Sequence, residues 1–339
     1  MKKLLYVYAF SLKASGVYIK LQGQIKAFEK KYNVTLISPQ FNKNGSVFHK
    51  LIAFLLFQIK AFFYSLKKDI LYVRYSPYII LYNIFLIPIS FVKTVYIEHN
   101  SKMEQELELA NKKLALKIHR MFLFMSKFGN VFHIGVTKEI CISLEENISI
   151  SKIKYIQNGY SELNINKSKT DKEVLTNLKN MKEKYDKLGI FVGNNYPWHG
   201  VDKVIELFKN MKNILIVIVG DYNIQSSINN ICFLGKLNIN TLKEIYTICD
   251  FGIGSMALDI IKLKEACPLK TREYLFNGLP ILVNYKDSAS DIPKLNKYIF
   301  NLKENTDALS DLLNCGYDRK QIVKDAKSEL NWDKLLDEI

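Results

Sequence analysis

The chain has 339 residues, 48% of them hydrophobic and only 7 of them proline, enough for two ordered domains of roughly 150 residues each and unlike a disordered or fibrous chain. Cys141, Cys232, Cys249, Cys267 and Cys315 form no CxxC and the five histidines no HxH or HExxH, which argues against a disulfide framework or zinc site and for reduced thiols in the cytoplasm. The net charge of +15 is lopsided: residues 1–165 hold 23 Lys and Arg against 10 Asp and Glu, the rest 25 against 23, so the first half is expected to meet an acidic surface such as anionic lipid or a phosphate-bearing substrate.

The run Met1–Phe10 lacks a small-residue cleavage site and reads as a first strand, Leu4–Phe10, not as a signal peptide. Five β-rich runs follow: Val34–Ile37, Ile70–Arg74, Thr94–Glu98, Val131–Val136 and Lys154–Ile156. Helices are predicted between them near 17–31, 49–67, 77–91, 103–127 and 137–147. Leu51–Leu66 and Tyr78–Val92 are very apolar but shorter than the ~20 residues that span a bilayer, so both are expected to be buried helices. Lysines interleaved with Phe and Leu over His49–Lys68 also suit a membrane-facing amphipathic element. Nucleic acid fits the charge less well, because Lys far outnumbers Arg and no zinc-finger or RNP pattern is present.

Asn158-Gly159 closes the first half, and the polar stretch 161–187 reads as a linker with a leading helix. The second half restarts the alternation with strands Leu188–Val192, Ile214–Val219, Ile231–Leu234, Phe251–Gly254, Ile281–Val283 and Tyr298–Phe300. Its helices are predicted near 200–210, 240–248, 268–277, 304–314 and 319–328. Alternation of this kind implies an α/β protein with parallel sheets covered on both faces and ligands at the carboxyl ends of the strands.

One block stands out: Glu265-Ala-Cys-Pro-Leu-Lys-Thr-Arg-Glu273, followed by Tyr-Leu-Phe-Asn-Gly-Leu-Pro-Ile-Leu-Val. Pro268 fits a first helical turn, Gly278 can take a left-handed cap, and Pro280 blocks continuation into Ile281–Val283. Glu265 then falls in the loop ahead of a short helix and Glu273 about one and a half turns inside it. A helix N-terminus favours phosphate, Lys270 adds a cation in the same turn, and Glu273 can accept from two hydroxyls at once. The plain alternative is a capped amphipathic helix with solvated charges.

This block joins others in a recognisable order: Gly16 after the first strand, Glu98-His99-Asn100 after the fourth, Ile190-Phe-Val-Gly193 leading to Trp198-His199-Gly200, Gly220-Asp221, Gly235-Lys236-Leu237, and Asn331-Trp332 near the end. The set resembles the retaining GT-B glycosyltransferases of the large family four, which build bacterial polysaccharides. It covers most of the second half, and only strand pattern and loop positions in the first. The resemblance implies two doubly wound Rossmann-like domains facing across a cleft. An acceptor-side domain would span 1–165, with a C-terminal helix at about 329–339 packing back on it, and a donor-binding domain would span 166–328. It also implies transfer, with retention, from a UDP- or GDP-sugar to a glycan or lipid-linked glycan in cell-surface polysaccharide synthesis. No metal or other cofactor and no nucleic acid is expected, and the protein would sit in the cytoplasm on an anionic membrane surface.

Residue by residue, the resemblance implies that Glu273 binds the ribose and that Glu265 lies near the donor sugar. The backbone of Cys267, Pro268 and Leu269 would meet sugar hydroxyls or diphosphate, and Lys236 and Leu237 would hold the base. Gly16 would let its loop approach the phosphate, while Glu98 and His99 would face the transferring centre from an interdomain loop, His99 orienting a sugar hydroxyl. The family commonly places an Arg after the glycine matching Gly193 and a Lys before the next glycine. Here those places read Asn194-Asn195 and His199, so Lys270 and a protonated His199 are expected to meet the leaving diphosphate. Two other readings keep the fold. A sugar-nucleotide epimerase would form an epimer without releasing nucleoside diphosphate, and a non-catalytic partner in a polysaccharide assembly complex would bind neither UDP nor GDP.

Overall fold

The computed structural model describes residues 1–10, 12, 16–42, 45–161, 169–222 and 227–339. The small-residue loop ahead of Gly16 (13–15) and the centre of the polar linker (162–168) lie outside the described residues. The chain divides into two compact units, Met1–Gln157 with Leu335–Ile339, and Asn158–Lys334, where the sequence analysis set 165.

The first unit runs β1 (Lys3–Tyr8), α1 (Gly16–Phe28), β2 (Asn33–Ile37), α2 (Val47–Leu66), β3 (Ile70–Arg74), α3 (Ile80–Ile89), β4 (Thr94–His99), α4 (Met103–Leu109), α5 (Lys113–Ser126), β5 (Val131–Gly135), α6 (Lys138–Glu145) and β6 (Ile153–Tyr155). Its strands pair in parallel in the order β2-β1-β3-β4-β5-β6. Helices cover both faces, which is why Leu4–Val7 and Leu71–Val73 are continuous apolar runs, all fully buried. The last residues are tied to this unit: the Tyr32 hydroxyl donates to the Ile339 carbonyl at 2.7 Å and Lys31 pairs with Asp337 at 2.8 Å.

Two expectations need correction. The helix predicted over 103–127 is two, α4 and α5, because Asn111 adopts φ 52° and its N–H and that of Lys112 turn back onto the Glu108 and Leu107 carbonyls. The apolar stretch 51–66 is a helix but not a buried one. α2 presents only Phe57, Gln58, Ala61 and Ser65 inward, while Val47 is 85% and Phe48 67% exposed and Leu51, Leu55, Leu56 and Phe63 are also exposed. At 20 residues it is long and apolar enough to cross a membrane. It is, however, the crossover between β2 and β3, the two strands that flank β1, so it runs along that sheet.

The second unit holds α7 (Lys172–Lys182), β7 (Lys187–Val192), α8 (Val201–Phe208), β8 (Ile214–Val219), β9 (Ile231–Gly235), α9 (Ile239–Ile248), β10 (Phe251–Ile253), β11 (Glu265–Ala266), α10 (Leu269–Phe276), β12 (Ile281–Val283), β13 (Lys286–Asp287), α11 (Pro293–Asn296), β14 (Ile299–Asn301), α12 (Ala308–Asn314) and α13 (Arg319–Leu330). α14 (Trp332–Leu335) follows. Six strands pair in parallel in the order β14-β12-β10-β7-β8-β9, and β11 pairs with β13 in a separate two-stranded ladder. One face of the large sheet buries Leu188, Ile190, Leu215 and Val217 with Ile245, Tyr246 and Tyr274; the other buries Phe191, Ile216 and Ile218 with Val204 and Phe208. The predicted fold class, two doubly wound parallel α/β units, is the observed one.

Candidate functional site

In the second unit the strand order reverses between β7 and β10, and open α/β sheets bind ligands outside the carboxyl ends at such a point. β7 runs into Gly193, β10 into Gly254, and α10 follows β10. Tyr274 fastens α10 to the sheet. Its ring lies against Gly252, where any Cβ would run into it, its hydroxyl accepts the Val192 N–H at 2.9 Å, and it donates to the Ile253 carbonyl at 3.3 Å.

The two ends of α10 are local devices. Pro268 is the N-cap, with φ −69° and ψ 145°, one position earlier than the first-turn place expected for it. As at any helix start, the N–H groups that follow have no carbonyl four residues back. At the other end Gly278 takes φ +74°, and the N–H groups of Gly278 and Leu279 close onto Leu275 and Tyr274 at 3.0 Å, a Schellman stop. Glu265 is not in a loop as expected: it is buried in β11, opposite Lys286 of β13.

Behind the helix start lies a buried network that sequence reasoning missed. Arg272 forms an ion pair with Asp287, both fully buried. Its guanidinium also donates to Ser288 Oγ at 2.7 Å, Cys267 Sγ at 3.0 Å and the Asn158 carbonyl at 3.2 Å. Asn158 donates through Nδ2 to the Cys267 carbonyl at 2.6 Å and through its N–H to Cys267 Sγ at 3.0 Å. Thr271 Oγ1 donates to Asp287 at 2.8 Å. The segment Cys267, Pro268, Leu269 is therefore braced by charge-assisted bonds, and burial pushes the Cys267 thiol up, so it is a packed thiol and not a nucleophile. Nothing local in the sequence marks Arg272 as internal.

The charges of α10 are unusual. The Lys270 ammonium is buried without a hydrogen-bond acceptor; its neighbour is the face of Phe191, 4.2 Å away at the ring centroid. Burial lowers its pKa to about 7. Burial likewise raises Glu273 to about 7, against the pull of the Tyr246 hydroxyl and the Lys243 charge. A buried cation without a partner is costly and calls for an anion.

His199 overturns one expectation. Burial first, and the charge of Lys270 second, lower its pKa to about 4, so it is neutral near pH 7 and adds no positive charge. Its Nδ1 lies 2.8 Å from the Asn194 carbonyl, so Nδ1 carries the proton and Nε2 is an acceptor. Gly193 backs the ring: a Cβ there would stand 2.8 Å from Nδ1. The Asn194 carbonyl also accepts from the Tyr222 hydroxyl at 3.0 Å. Lys236 is exposed and pairs with Asp221 at 2.5 Å, while Leu237 packs against the core. Among the described residues, no three His, Cys, Asp or Glu side chains group to hold a metal ion.

In the first unit the expected pair Glu98 and His99 separates, because adjacent strand residues point to opposite faces. Glu98 is buried against Lys20 Nζ at 2.7 Å, with Gln24 Nε2, the Tyr72 hydroxyl and Asn100 Nδ2 each donating to it at 2.6 Å. Burial would raise its pKa, but the charges of Lys20 and Arg74 outweigh it and hold it at about 2. Glu98 is thus a structural ion-pair partner and is withdrawn as a catalytic candidate. His99 ends β4, not a loop, and is buried with its Nε2 2.9 Å from His133 Nδ1. It lines a cavity of about 380 Å³ within this unit, together with Arg74, Tyr75, Tyr78, Glu106 and Lys112. Gly16 opens α1 and is exposed.

Two parallel-sheet α/β units with six-stranded sheets and these strand orders are the GT-B architecture. Residues 176–329 match the family of glycosyl transferases group 1. No curated protein matches the sequence. Among solved structures the chain is similar to Alr3699/HepE of Anabaena in complex with UDP and glucose, at 12% identity and TM-score 0.66 over 100% of this chain and 98% of that one. It is similar to sucrose-phosphate synthase of Thermosynechococcus elongatus at 12% identity and TM-score 0.68 over 100% and 97%. It is also similar to WaaG, a glycosyltransferase involved in lipopolysaccharide biosynthesis, at 11% identity and TM-score 0.59 over 98% and 95%. The likenesses carry the fold, and the family match supports a glycosyltransferase.

Proposed function

We propose that this chain is a retaining glycosyltransferase that takes a sugar from a UDP- or GDP-sugar and passes it to a glycan acceptor, lipid-linked, in cell-surface polysaccharide synthesis. The observation that carries this reading is the pair on α10: a buried ammonium without a partner, Lys270, one turn from a carboxylate suited to ribose hydroxyls, Glu273. A leaving diphosphate is the anion Lys270 lacks, and the first-turn N–H groups reinforce it. In this reading Glu265 and the braced Cys267–Leu269 backbone address the donor sugar, Lys236 and Leu237 the base, and no resident metal takes part. Structural relatives carrying UDP and glucose, or ADP and acarbose, support a nucleotide-sugar donor. Retention rests on the resemblance of the Glu265–Glu273 block.

The basic first unit and the outward apolar face of α2 support peripheral binding on the cytoplasmic side of an anionic membrane. The test is a thermal-shift panel of UDP, GDP and their sugars on the wild type and on Glu273→Ala. A donor should raise the Tm of the wild type. Glu273→Ala should keep its unliganded Tm and lose both the shift and sugar transfer. Near-normal turnover in that variant overturns the assignment.

A further inference from the structure

The cavity of the first unit lies at the carboxyl ends of β3 and β4, next to the point where the strand order reverses around β1, and the donor-side features do not use it. Arg74 ends β3 and lines this cavity. Among the described residues its guanidinium has no hydrogen-bond or ion-pair partner; its contact is the Tyr8 ring, 5.7 Å away at the centroid. Glu98, whose carboxylate feels the Arg74 charge, is already paired with Lys20 at 2.7 Å, so a positive charge is left over. Lys112 adds a second cation at the rim, where it donates to the Tyr78 hydroxyl at 2.8 Å. Tyr75 and Tyr78 add aromatic rings to the lining.

His99 completes the set through a relay. Ser126 Oγ donates to the Leu123 carbonyl at 2.7 Å, so toward His133 Nε2, 3.0 Å away, it acts as acceptor. His133 therefore carries its proton on Nε2 and presents a bare Nδ1 to His99 Nε2 at 2.9 Å. Burial keeps both rings neutral. His99 must then be the Nε2–H tautomer, which leaves its Nδ1 lone pair as a fixed acceptor for a hydroxyl. Glu106 offers a further acceptor in the same lining.

We propose that this cavity is an acceptor site for a saccharide bearing an oxyanion, phosphate or carboxylate, with Arg74 as counter-charge and His99 Nδ1 receiving a sugar hydroxyl. The proposal rests on the reading of the chain as a glycosyltransferase, which needs a second substrate. Tyr78 leads directly into the exposed Ile80 and Ile84 of α3, which packs on α2, so an apolar carrier attached to such a head would have a surface to lie on.

Isothermal titration of the full chain with glucose 6-phosphate, glucuronate and glucose, with UDP titrated in parallel, tests it. Both anionic probes should bind more tightly than glucose. Arg74→Gln should weaken them by roughly tenfold or more, Arg74→Lys should recover part of the loss, and UDP binding should be unchanged in both. Ser126→Ala, which frees the His99 tautomer, should weaken all three saccharides alike; unchanged affinity there removes His99 from the site. Loss of the anionic probes in Glu273→Ala but not in Arg74→Gln would place the anion on the donor helix and overturn the proposal. So would equal affinity for glucose and the anionic probes. If Arg74→Gln lowers binding to phosphatidylglycerol vesicles but not to the soluble probes, Arg74 reads a lipid surface and the cavity assignment falls. Absence of UDP binding in the wild type would count against the donor reading alone, since Arg74-dependent binding of glucose 6-phosphate is measured separately.

Discussion

Lys270 and Glu273 occupy one turn of α10, and burial moves both toward neutrality, to about 7 each. The consequences for a bound donor oppose each other. Glu273 must be ionised to accept from two ribose hydroxyls, so affinity falls as pH drops below about 7. Lys270 must be protonated to meet a diphosphate, so affinity falls as pH rises above about 7. Donor affinity measured by titration calorimetry is therefore expected to peak near neutrality, and the alkaline limb should shift upward at saturation, because the anion raises the pKa of Lys270. A profile flat across neutrality would remove both residues from the donor site. Glu98 behaves in the opposite sense. Its folded pKa of about 2 lies below the ordinary carboxylate value of 4.5, so its contribution to stability is present above pH 4.5 and is lost as pH falls toward 2. Lys20→Met leaves that buried carboxylate without its ion-pair partner, with an expected cost of about 3–5 kcal/mol in urea denaturation at neutral pH.

The short helix α10 combines what is local with what is remote. Its limits were legible, because Pro268, Gly278 and Pro280 act through their own backbone. Its placement was not: it depends on the Tyr274 ring resting on Gly252 of strand β10. Gly252→Ala is expected to lift the helix, to cost about 1–3 kcal/mol by chemical denaturation, and to weaken donor binding through Lys270 and Glu273. Retained nucleotide affinity in a folded Gly252→Ala protein would mean that Tyr274 does not position the site. β11 was illegible for a related reason. A two-residue strand exists only through its partner, and Glu265–Ala266 pairs with Lys286–Asp287, far along the chain. The break between α4 and α5 was available in the sequence as Asn111, a residue type that tolerates the left-handed conformation, yet the apolar periodicity across 103–127 masks it.

Across the molecule, the excess of positive charge and the exposed apolar side chains coincide in the first unit. Flotation with phosphatidylglycerol vesicles is expected to recover the protein at low salt and to lose it as ionic strength rises, since the lipid attraction is screened within a Debye length. Phe48→Ser with Leu51→Ser on α2 should reduce recovery without changing UDP binding. Equal recovery on neutral and anionic vesicles would contradict the charge argument.

The succession of strands and helices along the chain, the two α/β units and the glycine stop of α10 follow from apolar alternation and from proline and glycine positions, which act over a few residues and can be read without knowing what lies nearby in space; the order of the strands within each sheet is decided by packing. The state of each candidate group follows from what lies nearby. Glu98 is neutralised by Lys20 from α1, His99 is oriented through His133 and Ser126, His199 is kept neutral by burial beside Lys270, and Arg272 is internal because Asp287 meets it there. A side chain's charge depends on desolvation and on partners distant in sequence, so the residue types of the site could be named from the chain, and their protonation and roles came from packing.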